Sequence, residues 1–217
     1  MAVLITGTST GIGRATALTF LNAGFTVIGI DVMESSISST DYVHLQQDVR
    51  EFKMPADLST IPIHVLINNA GTQNEDDLAV NLKAVIDMTE TYGIQPNIKA
   101  IVNVASTSAH NGAEFPEYAA SKGGLLAYTK NVSQRIAKYG ATCNSISPGG
   151  VRTTMNAHIL DNPKLYDEVL AETLLNKWAS AEEIADWIYF VAVVNKSMTG
   201  QDIIIDNGEL SKFNFIW

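Results

Sequence analysis

The sequence predicts an α/β fold: a doubly wound sheet of seven parallel strands in a single domain. Three observations predict it. Short β-branched runs alternate with longer stretches of helical period, which is the pattern of βαβ units around a parallel sheet. A glycine-rich turn follows the first of those runs directly and leads into a helix. The 217 residues, 46% of them hydrophobic, suit one domain with a substantial core.

Taken in order, the strands are expected at 3–6, 26–31, 42–46, 64–68, 100–104, 142–147 and 203–206. The clearest helices are expected at 12–23, 78–92, 118–139 and 181–194. In the third of these, Leu125, Leu126, Thr129, Val132 and Ile136 fall near one stripe, which marks its buried face. The Ser-rich piece 35–40 occupies the place of a crossover helix and reads as a loop. Late in the chain, Asn162-Pro163 interrupts the segment 155–177, which is the expected mobile lid. No internal repeat or interdomain linker is visible, so residues 1–217 are read as one unit.

Composition excludes several functions. With 23 acidic and 14 basic residues the formal charge is -9, and no long Lys/Arg run offsets it, so a nucleic-acid partner is not expected. No stretch approaches the roughly 20 apolar residues of a membrane span. The apolar run at Ala2–Ile5 meets glycine at once, leaving no room for a signal or transit peptide, and a soluble cytoplasmic protein is expected. The lone Cys143 reads as small core filler, and no two histidines are spaced to ligate zinc, so no metal is expected.

The turn after the first strand runs Gly7-Thr8-Ser9-Thr10-Gly11-Ile12-Gly13. Gly7 lets the chain turn sharply, Gly11 lets backbone approach a pyrophosphate, and Gly13 lets helix pack close on strand, the division of labour in Rossmann-type dinucleotide folds. The helix start at Thr10 to Gly13 then offers N–H groups and a positive dipole end to phosphate. The second strand ends at Asp31, 18 residues beyond Gly13, where such folds present a carboxylate to the adenosine ribose. A carboxylate there accepts from both ribose hydroxyls and repels a 2′-phosphate, so NAD is preferred over NADP. The competing role for Asp31 is to cap a loop, a common duty of Asp at strand ends. Arg14, just inside the helix, complicates the preference.

Tyr118 and Lys122 stand four apart on a predicted helix and so share a face. A free phenol has a pKa near 10, and a neighbouring ammonium favours the phenolate, which suits proton exchange with an alcohol or carbonyl oxygen. Taken alone, the same spacing describes a solvated surface pair.

The glycine pattern TGxxxGIG, met letter for letter by Thr6 to Gly13, together with YxxxK, resembles the classical short-chain dehydrogenases/reductases. The resemblance covers essentially the whole chain. It implies that Asp48-Val49 meets the adenine, and that Asn69, Ala70 and Gly71 of the NNAG run line the cofactor cleft behind Asn68. It implies that Ser106 holds the substrate oxygen, with Ser108 as the substitute if the register slips, and that Lys122 also bonds the nicotinamide ribose. Asn81 matches the Asn that anchors a water in the proton relay, although an amide there also suits a helical irregularity. Pro148, Gly149, Val151 and Thr153 match the PGxVxT segment around the nicotinamide carboxamide, and Gly200-Gln201 with Asp206-Asn207-Gly208 matches the GQxxxxDGG ending except at Asn207. Metal is not implied. The implied assembly is a homo-oligomer, dimer or tetramer, and the apolar end 213–217 suits either an interface or burial on its own subunit.

The chain is short for that family, being compressed at 31–48, 69–81 and 106–118, so the substrate pocket is trimmed while the chemistry residues remain. His110, Asn111, Glu114 and Phe115 are expected on one side of it, with Met155, His158 and Leu160 opposite. The expected function is hydride transfer between NAD(H) and a secondary alcohol or ketone of small-molecule size, with Tyr118 as general acid/base. The alternatives are a 3-oxoacyl-type reductase using NADPH and a catalytically weak NAD-binding protein.

Overall fold

The computed structural model describes residues 1–113 and 115–213. The chain runs β1 (Ala2–Thr6), α1 (Gly11–Asn22), β2 (Thr26–Asp31), β3 (Tyr42–Gln46), β4 (Ile63–Asn68) and α2 (Val85–Met88), the last flanked by wide π turns at Ala79–Ala84 and Thr89–Gly93. It continues through β5 (Ala100–Val104), α3 (Ser108–Asn111), α4 (Pro116–Ile136), β6 (Thr142–Pro148) and β7 (Val151–Arg152). The last elements are α5 (Ala157–Leu160), α6 (Pro163–Leu170), β8 (Ala179–Ser180), α7 (Ala181–Tyr189) and β9 (Asp202–Ile205). Seven strands form one sheet in the order β3-β2-β1-β4-β5-β6-β9, every pair parallel. The order reverses between β1 and β4, and the crevice at their carboxyl ends is where a doubly wound sheet binds its ligand.

Both faces of the sheet are covered, so its strands alternate between two cores. Val3 and Ile5 of β1 pack with Phe20 of α1 and Ile184 and Ile188 of α7, whereas Leu4 packs with Leu66, Ile101, Met88 and Val132 on the other face. Cys143 is fully buried in the second core, as expected of filler, and burial pushes its thiol well above the ordinary range. A buried amide chain crosses the sheet. Asn68 Nδ2 donates to Asn103 Oδ1 at 2.8 Å and to Thr89 Oγ1 at 3.0 Å, and Asn103 Nδ2 donates to Thr129 Oγ1 at 2.8 Å. These bonds tie β4 and β5 to α4, the helix that carries Tyr118 and Lys122.

Several local expectations are corrected. The helix expected from 118 begins at Pro116, whose fixed φ and missing N–H suit the first turn, and closes through a 3₁₀ turn onto Gly140 at φ +67°. Asn162-Pro163 starts a helix rather than interrupting one, because Asn162 Oδ1 caps α6 by accepting from Leu165 N–H at 3.3 Å. The segment 155–177 is therefore substantially helical. Asn207 stands in place of the family's glycine at φ +55°, a left-handed conformation that Asn tolerates better than most residues. Of the apolar end 213–217, only Phe213 is among the described residues, and it is exposed.

Ser180 and Glu183 form a capping box on α7. The Ser180 hydroxyl accepts from Glu183 N–H at 3.2 Å, and the Glu183 carboxylate accepts from Ser180 N–H at 2.8 Å. Ser180→Ala is expected to lower stability by about 1 kcal/mol, measured by urea denaturation. No loss would show that packing of α7 alone holds its first turn.

Candidate active site

The site begins where β1 meets α1. Gly7 turns at φ +76° and gives its N–H to Ile30 O at 2.7 Å, and Gly11 takes φ +52°. Gly13 is the tightest point, since a Cβ there would stand 1.9 Å from Gly7 O. Thr10 leads into α1 without a side-chain cap, and no acidic residue occupies the first turn, so the helix start keeps its positive end. Across the crevice, Asn69 Nδ2 donates to Thr6 O at 2.9 Å and Gly7 O at 3.2 Å, while Thr6 Oγ1 accepts from Asn69 and Ala70 N–H at 3.0 Å each. The glycine turn and the end of β4 are thus one rigid wall.

These elements border a cleft of about 630 Å³, within the range of ordinary ligand pockets. It is lined by Gly7, Thr10, Gly11, Ile12, Asp31, Asp48, Val49, Asn69, Ala70 and Gly71 from the carboxyl ends of β1 to β4. Ser106, Tyr118 and Lys122 line its middle, and Pro148, Gly149, Val151 and Thr153 its far wall. Gly13 does not reach the cleft, because its task is the close packing just described. Thr153 comes round to the glycine turn, with Cγ2 3.2 Å from where a Gly11 Cβ would sit.

Asp31 both caps a loop and faces the cleft. Its carboxylate accepts from Ser9 N–H and Met33 N–H, each at 2.9 Å, which fixes it on the rim. Arg14 turns away, its Nε donating to Ser36 Oγ at 2.7 Å. Besides Lys122, Arg50 also reaches the cleft, and it binds Asp48 at 2.6 Å and Asp76 at 2.7 Å. Its hydrogen bonds hold the Asp48 carboxyl below the usual range.

Tyr118 and Lys122 share one face of α4, with Nζ 5.6 Å from the ring centroid. Lys122 is 5% exposed and donates to Val104 O at 2.9 Å. Burial pulls its pKa down to about 8, against the opposing charge of Asp77. The register after β5 puts Ser106 on the cleft. Its hydroxyl donates to Ser108 Oγ at 3.2 Å and accepts from Ser108 N–H at 3.1 Å, while Ser108 itself is off the lining. Asn81 lies behind the wall and not on it. Its Oδ1 accepts from Thr72 N–H at 2.8 Å, and its Nδ2 donates to Thr72 O at 2.9 Å and to Ser121 Oγ at 3.3 Å. The amide thereby braces the π turn in which it sits.

The substrate side differs from the sequence expectation. His110 bonds Asp202 Oδ2 through Nε2 at 2.8 Å and joins α3 to β9 instead of lining the cleft. Asn111 and Phe115 are also off the lining, and Glu114 lies outside the described residues. On the opposite side Met155 and Ile159, four apart on a helical stretch, face the cleft and turn His158 and Leu160 away. The lining also includes Thr107, Gly150, Trp178, Glu172 and Glu209. Gly150 lies tight against Trp178, since a Cβ there would meet the ring at 2.1 Å. Among the described residues no cluster of three His, Cys, Asp or Glu side chains is placed to hold a metal ion, and no helix is long and apolar enough to cross a membrane.

The model of the family described as enoyl-(acyl carrier protein) reductase matches residues 7–209, the span from the glycine turn to the end of the far wall. The chain belongs to the short-chain dehydrogenase/reductase family. Among its relatives, a short chain dehydrogenase of Penicillium roqueforti is 31% identical over 95% of this chain and 96% of its own length. A 3-oxoacyl-[acyl-carrier-protein] reductase of Thermotoga maritima is 31% identical over 94% and 96% respectively. A solved 4-hydroxyisoleucine dehydrogenase complexed with NADH is 26% identical and superposes with a TM-score of 0.88, covering 98% of this chain and 99% of that one. This short-chain dehydrogenase/reductase is therefore a nicotinamide-dependent oxidoreductase acting between an alcohol and its carbonyl.

Proposed function

We propose that the enzyme uses NAD(H), with Tyr118 as general acid/base, on a small secondary alcohol or its ketone. The observation that carries this reading is Tyr118 beside the buried Lys122 ammonium, in the cleft that the glycine turn opens and Ser106 borders.

The residues fit a dinucleotide. The uncapped start of α1, with Thr10, Gly11 and Ile12, receives the pyrophosphate, and Asp31 receives the adenosine ribose. Asp48 and Val49 flank the adenine end; Asn69, Ala70 and Gly71 line the middle; Pro148, Gly149, Val151 and Thr153 hold the nicotinamide end. When bound, the nicotinamide supplies or accepts the hydride. The chain's own work is to place the substrate oxygen and move one proton. Ser106 turns its hydroxyl proton from Ser108 Oγ to that oxygen and orients it. Tyr118 gives its phenolic proton to the oxygen during reduction or takes it during oxidation, and the Lys122 charge stabilises the phenolate. Asn81 holds the backbone behind Lys122. The segment 155–177, which brings Met155, Ile159, Val169 and Glu172 to the cleft, is the lid in this reading.

NAD over NADP rests on Asp31, whose fixed carboxylate repels a 2′-phosphate. Wild-type enzyme is expected to favour NAD in kcat/KM, and Asp31→Asn to narrow the NAD/NADP ratio by about tenfold or more, since like-charge juxtaposition costs several kcal/mol. Tighter NADP binding by the wild type would overturn the assignment. A 3-oxoacyl-type reductase using NADPH is the second reading, favoured by Arg50 on the cleft, although Asp48 and Asp76 already engage that guanidinium.

The same reading includes a homo-oligomer and a cytoplasmic location. Support for the first comes from Ile204 on the edge strand β9 and from Trp187 and Phe190, paired at 5.9 Å on the outside of the α7 region. Support for the second is the lone buried thiol. A light-scattering mass equal to one chain would exclude the oligomer.

A further inference from the structure

Asp77 is a carboxylate only 1% exposed, and the proton-handling scheme has no role for it. It accepts from Thr72 Oγ1 and Asn74 N–H, each at 2.9 Å, and from Glu75 N–H at 3.4 Å. Those bonds close a turn over 72–77 in which Asn74 takes φ +61°. Within that turn Thr72 presents its N–H and C=O to the Asn81 amide. Asn81 Oδ1 and Lys122 Nζ both lie against Gly71, at 3.0 and 3.6 Å from where a Cβ would sit. Three buried polar side chains are thus gathered at one stretch of cleft wall, Lys122 on the lining and Asp77 and Asn81 behind it.

Charge gives this gathering a direction. The groups facing the Lys122 ammonium are Tyr118 of its own helix, Val104 O from β5, the Asn81 amide from the π turn, and Asp77. The carbonyl and the amide carry no charge, and Tyr118 is the group that the ammonium serves. The Asp77 carboxylate is what opposes the effect of burial on Lys122. An ammonium taken out of water without a counter-charge gives up its proton more readily.

We propose that Asp77 is a positioning residue for proton handling: its buried carboxylate keeps Lys122 charged and, by closing the 72–77 turn, fixes the Asn81 amide behind it. The proposal rests on the roles given above to Tyr118 and Lys122.

The test is Asp77→Asn in the full chain, followed across pH in two ways. The first readout is kcat/KM for NADH-dependent reduction of the fastest ketone in a panel. Wild-type activity is expected to fall as Lys122 deprotonates near pH 8, and the variant's fall to begin roughly one pH unit lower. The second readout needs no substrate. Lys122 titrates near 8 when folded and near 10.4 when unfolded, so between these values the unfolded chain binds more protons. Burying its charge therefore lowers stability most below pH 8, and that cost disappears as pH rises towards 10.4. Without Asp77 the cost is larger, so the Tm deficit of the variant is expected to be larger at pH 7 than at pH 9.5. An equal deficit at both pH values with an unmoved activity limb would show a turn brace without electrostatic effect, and would overturn the proposal. Asp77→Ser, a short uncharged residue suited to a helix start, gives the same readings if the Asn variant does not fold. Tyr118→Phe is measured alongside. A fully active Tyr118→Phe removes the proton-handling reading itself, whereas an inactive one beside an unmoved Asp77→Asn profile removes only the role of Asp77.

Discussion

Tyr118→Phe is expected to lower turnover by about 10²–10⁴-fold while leaving NADH binding and thermal stability near wild type. The substitution removes one oxygen and keeps the ring. The backbone carbonyl of Tyr118 still accepts from Ser121 Oγ at 2.7 Å, and the ring still sits under Lys122 Nζ at 5.6 Å, so both of these contacts of α4 are kept. What disappears is the only group in the proposed scheme that exchanges a proton with the substrate oxygen. Ser106 can still hold that oxygen, so binding of substrate is expected to weaken little. The measurement is single-turnover oxidation of NADH with a ketone, beside a fluorescence titration of NADH. A variant that turns over at the wild-type rate would remove Tyr118 from the chemistry, and a variant that no longer binds NADH would place its role in cofactor retention instead.

The parts of this site that were legible in the sequence are those whose physics is local. Glycines at 7, 11 and 13 follow from backbone that must turn or approach closely, and the structure finds left-handed φ at Gly7 and Gly11 and a steric limit at Gly13. The strands were legible because a sheet covered on both faces demands nearly continuous apolar runs, as in Ala2–Thr6, where every residue is buried. The Tyr118/Lys122 face followed from helical spacing alone.

What escaped depends on contacts between distant segments. His110 reads as a pocket residue because it follows Ser106 closely, yet Asp202, 92 positions away, draws it to β9. Arg50 was passed over, though it lines the cleft beside Asp48, because its ion pair to Asp76, 26 positions away, forms only when two loops meet. Asp77 was equally hidden. In the sequence it is one of three consecutive acids, Glu75-Asp76-Asp77, with nothing local to single it out, but Thr72 and Asn74 fold back over it and bury it. The Asn162-Pro163 pair was read as a break because both residues disfavour helix interiors; at a helix start the same chemistry is a cap followed by a preset φ.

Gly13→Ala is expected to cost at least about 3 kcal/mol of stability and most of the affinity for NADH, the upper end of overpacking penalties. Helix propensity points the other way, since Ala in a helix is favoured over Gly by about 1 kcal/mol. Sterics decide the sign. The added carbon would lie 1.9 Å from Gly7 O, 2.4 Å from Asn69 Nδ2 and 2.7 Å from Gly7 C, all inside contact distance. None of these atoms is the free end of a flexible chain. Gly7 is held by its bond to Ile30 O, and the Asn69 amide by its bonds to Thr6 O and Gly7 O. Relief therefore requires α1 to back away from β1, which withdraws the helix start from the pyrophosphate position. Gly123→Ala in α4 is the matched control, because the nearest atom to its added carbon is Ala109 O at 4.0 Å and propensity acts there unopposed. Urea denaturation and NADH titration of both variants should separate them, with Gly123→Ala as stable as wild type or slightly more so. If Gly13→Ala were equally stable and bound NADH normally, close approach of α1 to β1 would not be the reason for that glycine, and the register assigned to the cofactor turn would have to change.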